Sequence, residues 1–250
     1  MPRLSLVSLN VERGRHLGTV LPFLERMHTD VICLQEVREV DLPLFEKAAG
    51  RLVRFAPVTV FSDEGGTSPM GIAMFSKHPT SNVSEHYYFG ERSRVPRYVG
   101  LSPTTIRETM YRPLLYCDVE KEGTTYRIVT THFTWTPDGE VSNEQRSDLA
   151  KMLSLVAEAG ELTFCGDFNA PRGKEIFSEL AKRFKDNIPA EYETSLDLER
   201  HRAGKEKAAE LKTRMIDGLF TTPAYRARDV KLVCGVSDHC AVVADIERVG

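Results

Sequence analysis

No stretch of this 250-residue chain approaches the ~20 consecutive apolar residues that a membrane-spanning helix needs. There is no internal repeat, no low-complexity tract and no Pro/Gly-rich linker, so nothing divides residues 1–250 into separate units and one domain is expected. Charge of neither sign dominates. Lys and Arg number 33 against 36 Asp and Glu, a net charge of −3, so no global positive field draws in nucleic acid, although a local basic cluster still could. The five cysteines (Cys33, Cys117, Cys165, Cys234, Cys240) show neither CxxC nor zinc-finger spacing. At least four lie in apolar, strand-like runs, where free cysteine behaves as a small hydrophobe. An odd cysteine count, with no secretory apolar region in Met1 to Asn10, gives the expectation of a reducing, cytoplasmic location.

What is present is ordinary in amount and informative in arrangement. Hydrophobic residues at 41% and charged residues at 28% are typical of a soluble globular protein with a real core. Strand-like runs appear at Leu4 to Leu9 and Val31 to Leu34, then at 51–60, 70–76 and 82–88. A hairpin is expected from Leu114 to Val119, turning at Glu122-Gly123 into Thr125 to Thr131. Further strands are expected at Leu162 to Cys165 and near 215–220, 229–234 and 240–246. Helical spacing marks Leu17 to Met27, with Pro22 suggesting a late start or a bend, then Asp41 to Ala49 before Gly50, 143–158, and a segment near 173–183. Residues 90–110 are the least regular, and 186–214 are strongly charged.

Polar clusters recur at the ends of these strands. Gly166-Asp167-Phe168-Asn169-Ala170 follows the Leu162 to Cys165 run. An Asp and an Asn two positions apart on an extended chain point the same way, setting a carboxylate beside a carboxamide. Asn10, Gln35-Glu36 and Ser237-Asp238-His239 sit at three other strand ends. Phosphoester hydrolysis needs an activated water, charge neutralisation at the phosphate and a stabilised leaving oxygen. Glu36 with Asp238 and Asn10 supplies the oxygen ligands that hard cations such as magnesium prefer. Asp167 and Asn169 are placed to orient water, and His239 or His132 to offset phosphoryl charge. The pattern is that of a divalent-metal phosphohydrolase.

The order Asn10, Gln35-Glu36, Thr131-His132, Gly166-Asp167-Phe168-Asn169, Ile216-Asp217 and Ser237-Asp238-His239 resembles the endonuclease/exonuclease/phosphatase superfamily from residue 4 to residue 246. The resemblance implies a DNase I-like α/β fold, a four-layer α/β/β/α sandwich of two mostly antiparallel sheets. It implies Glu36 as principal ligand of Mg2+, Asn10 positioning metal and phosphate, and Asp238 as a second carboxylate near the metal, while an oxygen-rich site of this kind leaves Mn2+ or calcium open as substitutes. It further implies Asp167 as the water-activating base, Asn169 as an orienting group, His239 as the phosphate-binding histidine oriented by Asp217, and His132 as a transition-state stabiliser.

Substrate choice is less legible. The 90–112 region carries Arg92, Arg94, Arg97, Arg107 and Arg112 against Glu91 and Glu108, with tyrosines nearby. Arginine forks suit phosphate oxygens, and a solvated loop paired to surface acids is the competing reading. Arg107, Arg112, Trp135, His201 and Arg202 are the candidate substrate contacts. The Pro-Ala-Trp-Cys-Asp-Arg type of motif of inositol-polyphosphate phosphatases is missing from Lys212 to Phe220. The aromatic residues usual beside Ile-Asp in apurinic-site endonucleases are missing too. A phosphodiester substrate, with nucleic acid in view, is expected ahead of a phosphomonoester such as a small phosphorylated molecule or lipid headgroup. Other rivals are a non-catalytic binding protein on the same fold, and a serine hydrolase at Ser237, which lacks a GxSxG elbow. No protein partner is inferable.

Overall fold

The computed structural model describes residues 2–63 and 65–249. The strands in chain order are β1 (Leu4–Asn10), β2 (Val31–Arg38), β3 (Arg51–Asp63), β4 (Gly66–Ser76), β5 (Thr80–Phe89), β6 (Arg112–Lys121), β7 (Thr124–His132), β8 (Thr163–Asp167), β9 (Lys185–Asp186), β10 (Asp217–Thr221), β11 (Tyr225–Val233) and β12 (Ala241–Arg248). They form two six-stranded sheets, ordered β11-β12-β1-β2-β4-β3 and β5-β6-β7-β8-β10-β9. Each sheet has one parallel pair, β1 with β2 and β7 with β8, among otherwise antiparallel neighbours. The helices are α1 (Leu17–Met27), α2 (Leu42–Ala49), α3 (Pro103–Thr109), α4 (Asn143–Ala159), α5 (Glu175–Ala181) and α6 (Ala208–Leu211). None among the described residues is long and apolar enough to cross a membrane.

Burial on both faces explains why the central strands read as continuous apolar runs. In β2, Val31 and Cys33 face the second sheet, while Ile32 and Leu34 face the helices. The inner layer joins Leu6, Val31, Cys33 and Met74 to Cys117, Ile128, Cys165 and Leu219. Phe23, Leu24 and Phe45 of α1 and α2 cover the outer face of the first sheet. Met152, Val156, Ile176 and Phe177 of α4 and α5 cover that of the second. Each such aliphatic or aromatic side chain removed from water contributes about 1.5–3 kcal/mol. The result is the expected α/β/β/α sandwich.

The hairpin forms in the expected register, with Lys121 opposite Thr124. Glu122 and Gly123 both take positive φ (51° and 74°), the turn whose twist matches the flanking strands. α1 runs through Pro22 without a break, held by Val20, Phe23 and Leu24. The irregular 90–110 stretch contains a helix, α3, started by a Ser102–Thr105 capping box with Pro103 in its first turn.

One expectation is overturned. Cys234 and Cys240 are joined by a disulfide, with Cα atoms 4.2 Å apart, so only Cys33, Cys117 and Cys165 are free and buried. Sheet register supplies the reason. Val233 of β11 pairs with Ala241 of β12, so the residues just beyond that pair face each other across a short loop.

Candidate active site

The carboxyl ends of the two parallel pairs meet at one end of the sandwich. Asn10 pairs in register with Gln35, and His132 with Asp167. The β2–β4 ladder shifts register between Leu34 and Val37, and Glu36 takes a left-handed φ of 57°. Such a bulge re-aims a side chain. Gln35 stays between the sheets, its Nε2 donating to Ser8 Oγ (3.4 Å) and Thr130 Oγ1 (3.3 Å), while Glu36 turns to the open end. Gly166 is required where it stands. Its φ is +145°, and a Cβ there would lie 2.1 Å from the Thr131 carbonyl oxygen, so any side chain would push β8 off β7.

Asn10, Glu36, His132, Asp167, Asn169, Asp238 and His239 line one cavity of about 440 Å³. Asp167 is its hub. Oδ2 of Asp167 accepts from Asn10 Nδ2 (3.1 Å), and Oδ1 accepts from the Asn169 backbone N–H (2.8 Å). His132 Nε2 lies 3.4 Å and His239 Nε2 3.9 Å from Oδ2. Asn169, at φ 49°, donates from Nδ2 to the Phe133 carbonyl (3.1 Å), which fixes the loop after β8. Asp217 does not line the cavity but holds His239 from behind, its Oδ2 2.7 Å from Nδ1.

The two histidines are tuned apart. Burial would lower His239, but the charge and hydrogen bond of Asp217, with Asp167 and Asp238, lift it well above the usual value. His132 is pushed down to about 4 by burial, with Arg112 and His239 opposing the pull of Asp167. The surroundings thus favour the imidazolium at His239 and the neutral imidazole at His132.

Glu36 tests the fit to a cation. Burial raises its carboxyl, opposed by Arg13 and reinforced by Asp238 and Asp167. Among the described residues it accepts no hydrogen bond, and its nearest cation is Arg13 Nε at 3.8 Å. A half-buried carboxylate with like charges around it and no donor suits a hard divalent cation bound through oxygens. Glu12, His16 and Asp238 also bring ligand atoms within 4.8 Å of one another. Glu12, however, already has Arg15 Nη1 at 2.9 Å and His16 Nε2 at 3.0 Å. Glu36 with Asn10 and Asp238 is the donor set still short of positive charge.

Of the candidate substrate contacts, Trp135, His201 and Arg202 line the cavity. Arg107 and Arg112 do not. Arg107 pairs with buried Asp148 (2.8 Å) and lies over the Phe89 ring at 3.7 Å. Arg112 is 1% exposed and donates to the His132 carbonyl (3.4 Å). Arg92 pairs with Glu85. Arg107 and Arg112 are thus turned inward, Arg107 by the α4 acid beneath it, whereas Arg92, Arg94 and Arg97 stay exposed. Ser237 donates to Asp238 Oδ1 (3.1 Å) and is fully buried, which leaves no relay to His239.

Ser195, unremarkable in sequence, links the pieces. Its Oγ accepts from the N–H groups of Ile216 and Asp217, both at 3.1 Å, and its carbonyl accepts from Cys240 N–H at 2.7 Å. Asp197 does similar work, its N–H donating to the Asp238 carbonyl (2.8 Å) and its Oδ2 accepting from Gly235 N–H (2.7 Å). Only spatial adjacency reveals either residue.

Fold and site define a hydrolytic phosphoesterase-type scaffold. A family profile described as Endonuclease/Exonuclease/phosphatase family matches residues 7–239, and the chain belongs to that family. Among solved structures, an endonuclease/exonuclease/phosphatase from Bacteroides vulgatus superposes with TM-score 0.70 at 15% identity, covering 99% of this chain and 100% of that one. The catalytic domain of human Nocturnin with bound sulfate gives 0.66 at 16%, covering 99% and 94%. A mannosyl-6-phosphatase from Bacteroides thetaiotaomicron gives 0.65 at 12%, covering 98% and 99%. No curated protein matches the sequence.

Proposed function

We propose that this protein is a metal-dependent phosphoesterase acting by in-line attack of water on phosphorus, the whole chain working as one domain. The carrying observation is the hub at Asp167. Each of its oxygens accepts one hydrogen bond, and a carboxylate has about four acceptor positions, so capacity remains to take a proton from water. Glu36, Asn10 and Asp238 would hold Mg2+ or Mn2+. When bound, the ion supplies charge neutralisation and polarisation at a phosphoryl oxygen. His239, protonated at Nδ1 toward Asp217, presents Nε2–H to another phosphoryl oxygen. His132 offers neutral hydrogen bonding beside the water. Asn169 keeps Asp167 oriented through its backbone N–H.

The sequence leaned toward a phosphodiester in nucleic acid. The cleft supports a smaller ester. Of the rim cations, Lys207 lies 3.7 Å from Asp138, and Arg214 lies 3.5 Å from it. Binding a nucleic-acid strand depends on neutralising successive phosphates, and paired cations serve that poorly. Exposed Arg202 has no acid within ion-pair distance among the described residues, which favours it as the contact for a single anionic group. The cytoplasmic expectation rested on an odd cysteine count and on the lack of a secretory apolar region in Met1 to Asn10, and the Cys234–Cys240 bond weakens the first of these.

The test is hydrolysis of mono- and diesters, oligonucleotides included, with Mg2+, Mn2+ or EDTA. Activity lost in EDTA, and reduced at least about 100-fold in Glu36→Ala and Asp167→Ala, is the expected result. A folded Asp167→Ala protein with full activity would remove Asp167 from the proton transfer.

A further inference from the structure

Val58, Met70 and Met110, with Phe61, Tyr98 and Ile106 against them, form a fourth apolar cluster separate from the three that hold the layers together. It is built on β3, the edge strand of the first sheet. Residues 96–111 are stitched along that edge. Val60 N–H donates to the Pro96 carbonyl (2.7 Å), Tyr98 N–H to Val60 (3.0 Å) and Tyr111 N–H to Val58 (2.9 Å). The capped helix α3 then presents Ile106. Phe61, Met70, Tyr98, Ile106 and Met110 all line the same cavity as Glu36, Asp167 and His239.

Water attack on phosphate makes no use of such a wall. Leaving it wet has a cost that a ligand's apolar group would recover, at roughly 25 cal/mol per Å² covered. The cavity volume, about 440 Å³, lies within the range typical of small-molecule sites. Phe61 and Tyr98 form a ring pair with centroids 5.1 Å apart, a surface suited to a planar group. Arg13 joins the wall to the polar end. Left-handed backbone at Glu12 and Arg13 (φ 42° and 65°) sets its guanidinium 4.6 Å from the Phe61 centroid. Its Nε lies 3.8 Å from Glu36 and makes no hydrogen bond.

We propose that this wall is a leaving-group subsite, and that the substrate is a small phosphoester whose organic part is compact, largely apolar and best satisfied by an aromatic ring. The inference rests on the hydrolase reading above and names its substrate class. The organic group lies along Tyr98, Phe61 and Ile106, and the phosphate lies among Glu36, Asp167 and His239. Arg13 Nε–H spans the join, donating to an oxygen of the ester. Water's oxygen bonds to phosphorus, the bond from phosphorus to the organic oxygen breaks, and that oxygen leaves as the alcohol or phenol carrying a proton.

The probes are phenylphosphonate and methylphosphonate, whose P–C bonds resist hydrolysis. Binding in the presence of Mg2+ is followed through Trp135, the only tryptophan, which lines the cavity. Phenylphosphonate is expected to bind about 10-fold more tightly, the return on roughly 60 Å² of covered ring. That ratio should fall below about 3-fold in Tyr98→Ala and in Ile106→Ser, and persist in Tyr98→Phe. Equal affinities, no binding of phenylphosphonate at millimolar concentration, or an unchanged ratio in both folded variants overturns the subsite. Ester hydrolysis without aryl preference sinks the subsite alone. Aryl preference with no hydrolysis of any ester keeps the wall as an aryl-binding surface and sinks both the hydrolase reading and the leaving-group role.

Discussion

At the scale of single residues, the proposed site leans on side chains that do not line its cavity. Asp217 is the clearest. Its contact with His239 Nδ1 at 2.7 Å fixes ring orientation and favours the imidazolium. Asp217→Asn keeps the shape and loses the charge. It is expected to lower kcat about 10–100-fold, as loss of an orienting partner commonly does. The activity lost should be greatest at the alkaline end of a pH–rate profile, where His239 in the variant gives up its proton earlier. A profile with unchanged shape would remove Asp217 from that role. Ser195 is a positioning residue, its Oγ serving the N–H groups of two residues at the start of β10. Ser195→Ala removes the acceptor from two donors, one buried and one partly buried, at a cost of about 1–3 kcal/mol. Chemical denaturation measures that loss, and kcat should fall more than KM rises.

At the scale of elements, the loop between β11 and β12 carries Asp238 and His239 and is fastened three ways. The disulfide closes its base, Asp197 binds Gly235 and Asp238, and Ser195 binds Cys240. Cys234 is exposed and Cys240 buried, so reductant can reach the bond from outside. Closing a loop with a sequence separation of 6 is worth about 2 kcal/mol in the chain-entropy account. Paired Cys234→Ser and Cys240→Ser substitutions are expected to cost about that much stability, read by denaturant titration. They should also lower kcat several-fold. Dithiothreitol should reproduce both effects in the wild type and neither in the double variant. Unchanged kcat in both would show that the hydrogen bonds suffice to hold the loop. The 96–111 segment is the other element whose meaning comes from attachment, since fastening it to β3 turns Tyr98 and Ile106 toward the cavity.

At the scale of the molecule, the two sheets are tied at the end away from the cavity that holds Glu36 and Asp167. Asp30, just before β2, meets Lys121 of β6 (2.7 Å), His78 from the β4–β5 connection (2.7 Å) and Ser5 of β1. Burial raises its carboxyl, but these partners outweigh it and hold it at about 2, below its ordinary 3.8. The stabilisation is therefore complete above about pH 4 and lost as pH falls through about 2. It amounts to about 1–2 kcal/mol once partial solvent screening is allowed for. Asp30→Asn should lower stability by that amount at pH 7 and flatten the acid limb of a stability–pH curve. Equal destabilisation of wild type and variant between pH 4 and 2 would contradict it.

The sequence by itself determined the local chemistry. Apolar runs buried on both faces specified the central strands, and polar residues breaking those runs stood out: Asn10, His132 and Asp167 at strand ends, Glu36 at the β2 bulge and Asp238 just before β12. What it left open depended on distance in three dimensions. Whether an arginine meets substrate or a buried acid turns on what lies beneath it, so Arg107 could not be told from Arg202 until Asp148 was seen under α3. Cys234 and Cys240 became a pair only through the register of β11 and β12. Ser195 and Asp197 carry no motif and matter through neighbours distant in sequence. Local spacing encodes side-chain direction and burial, whereas ion pairing, cross-linking and the walls of a cavity arise only when segments far apart in the chain are brought together.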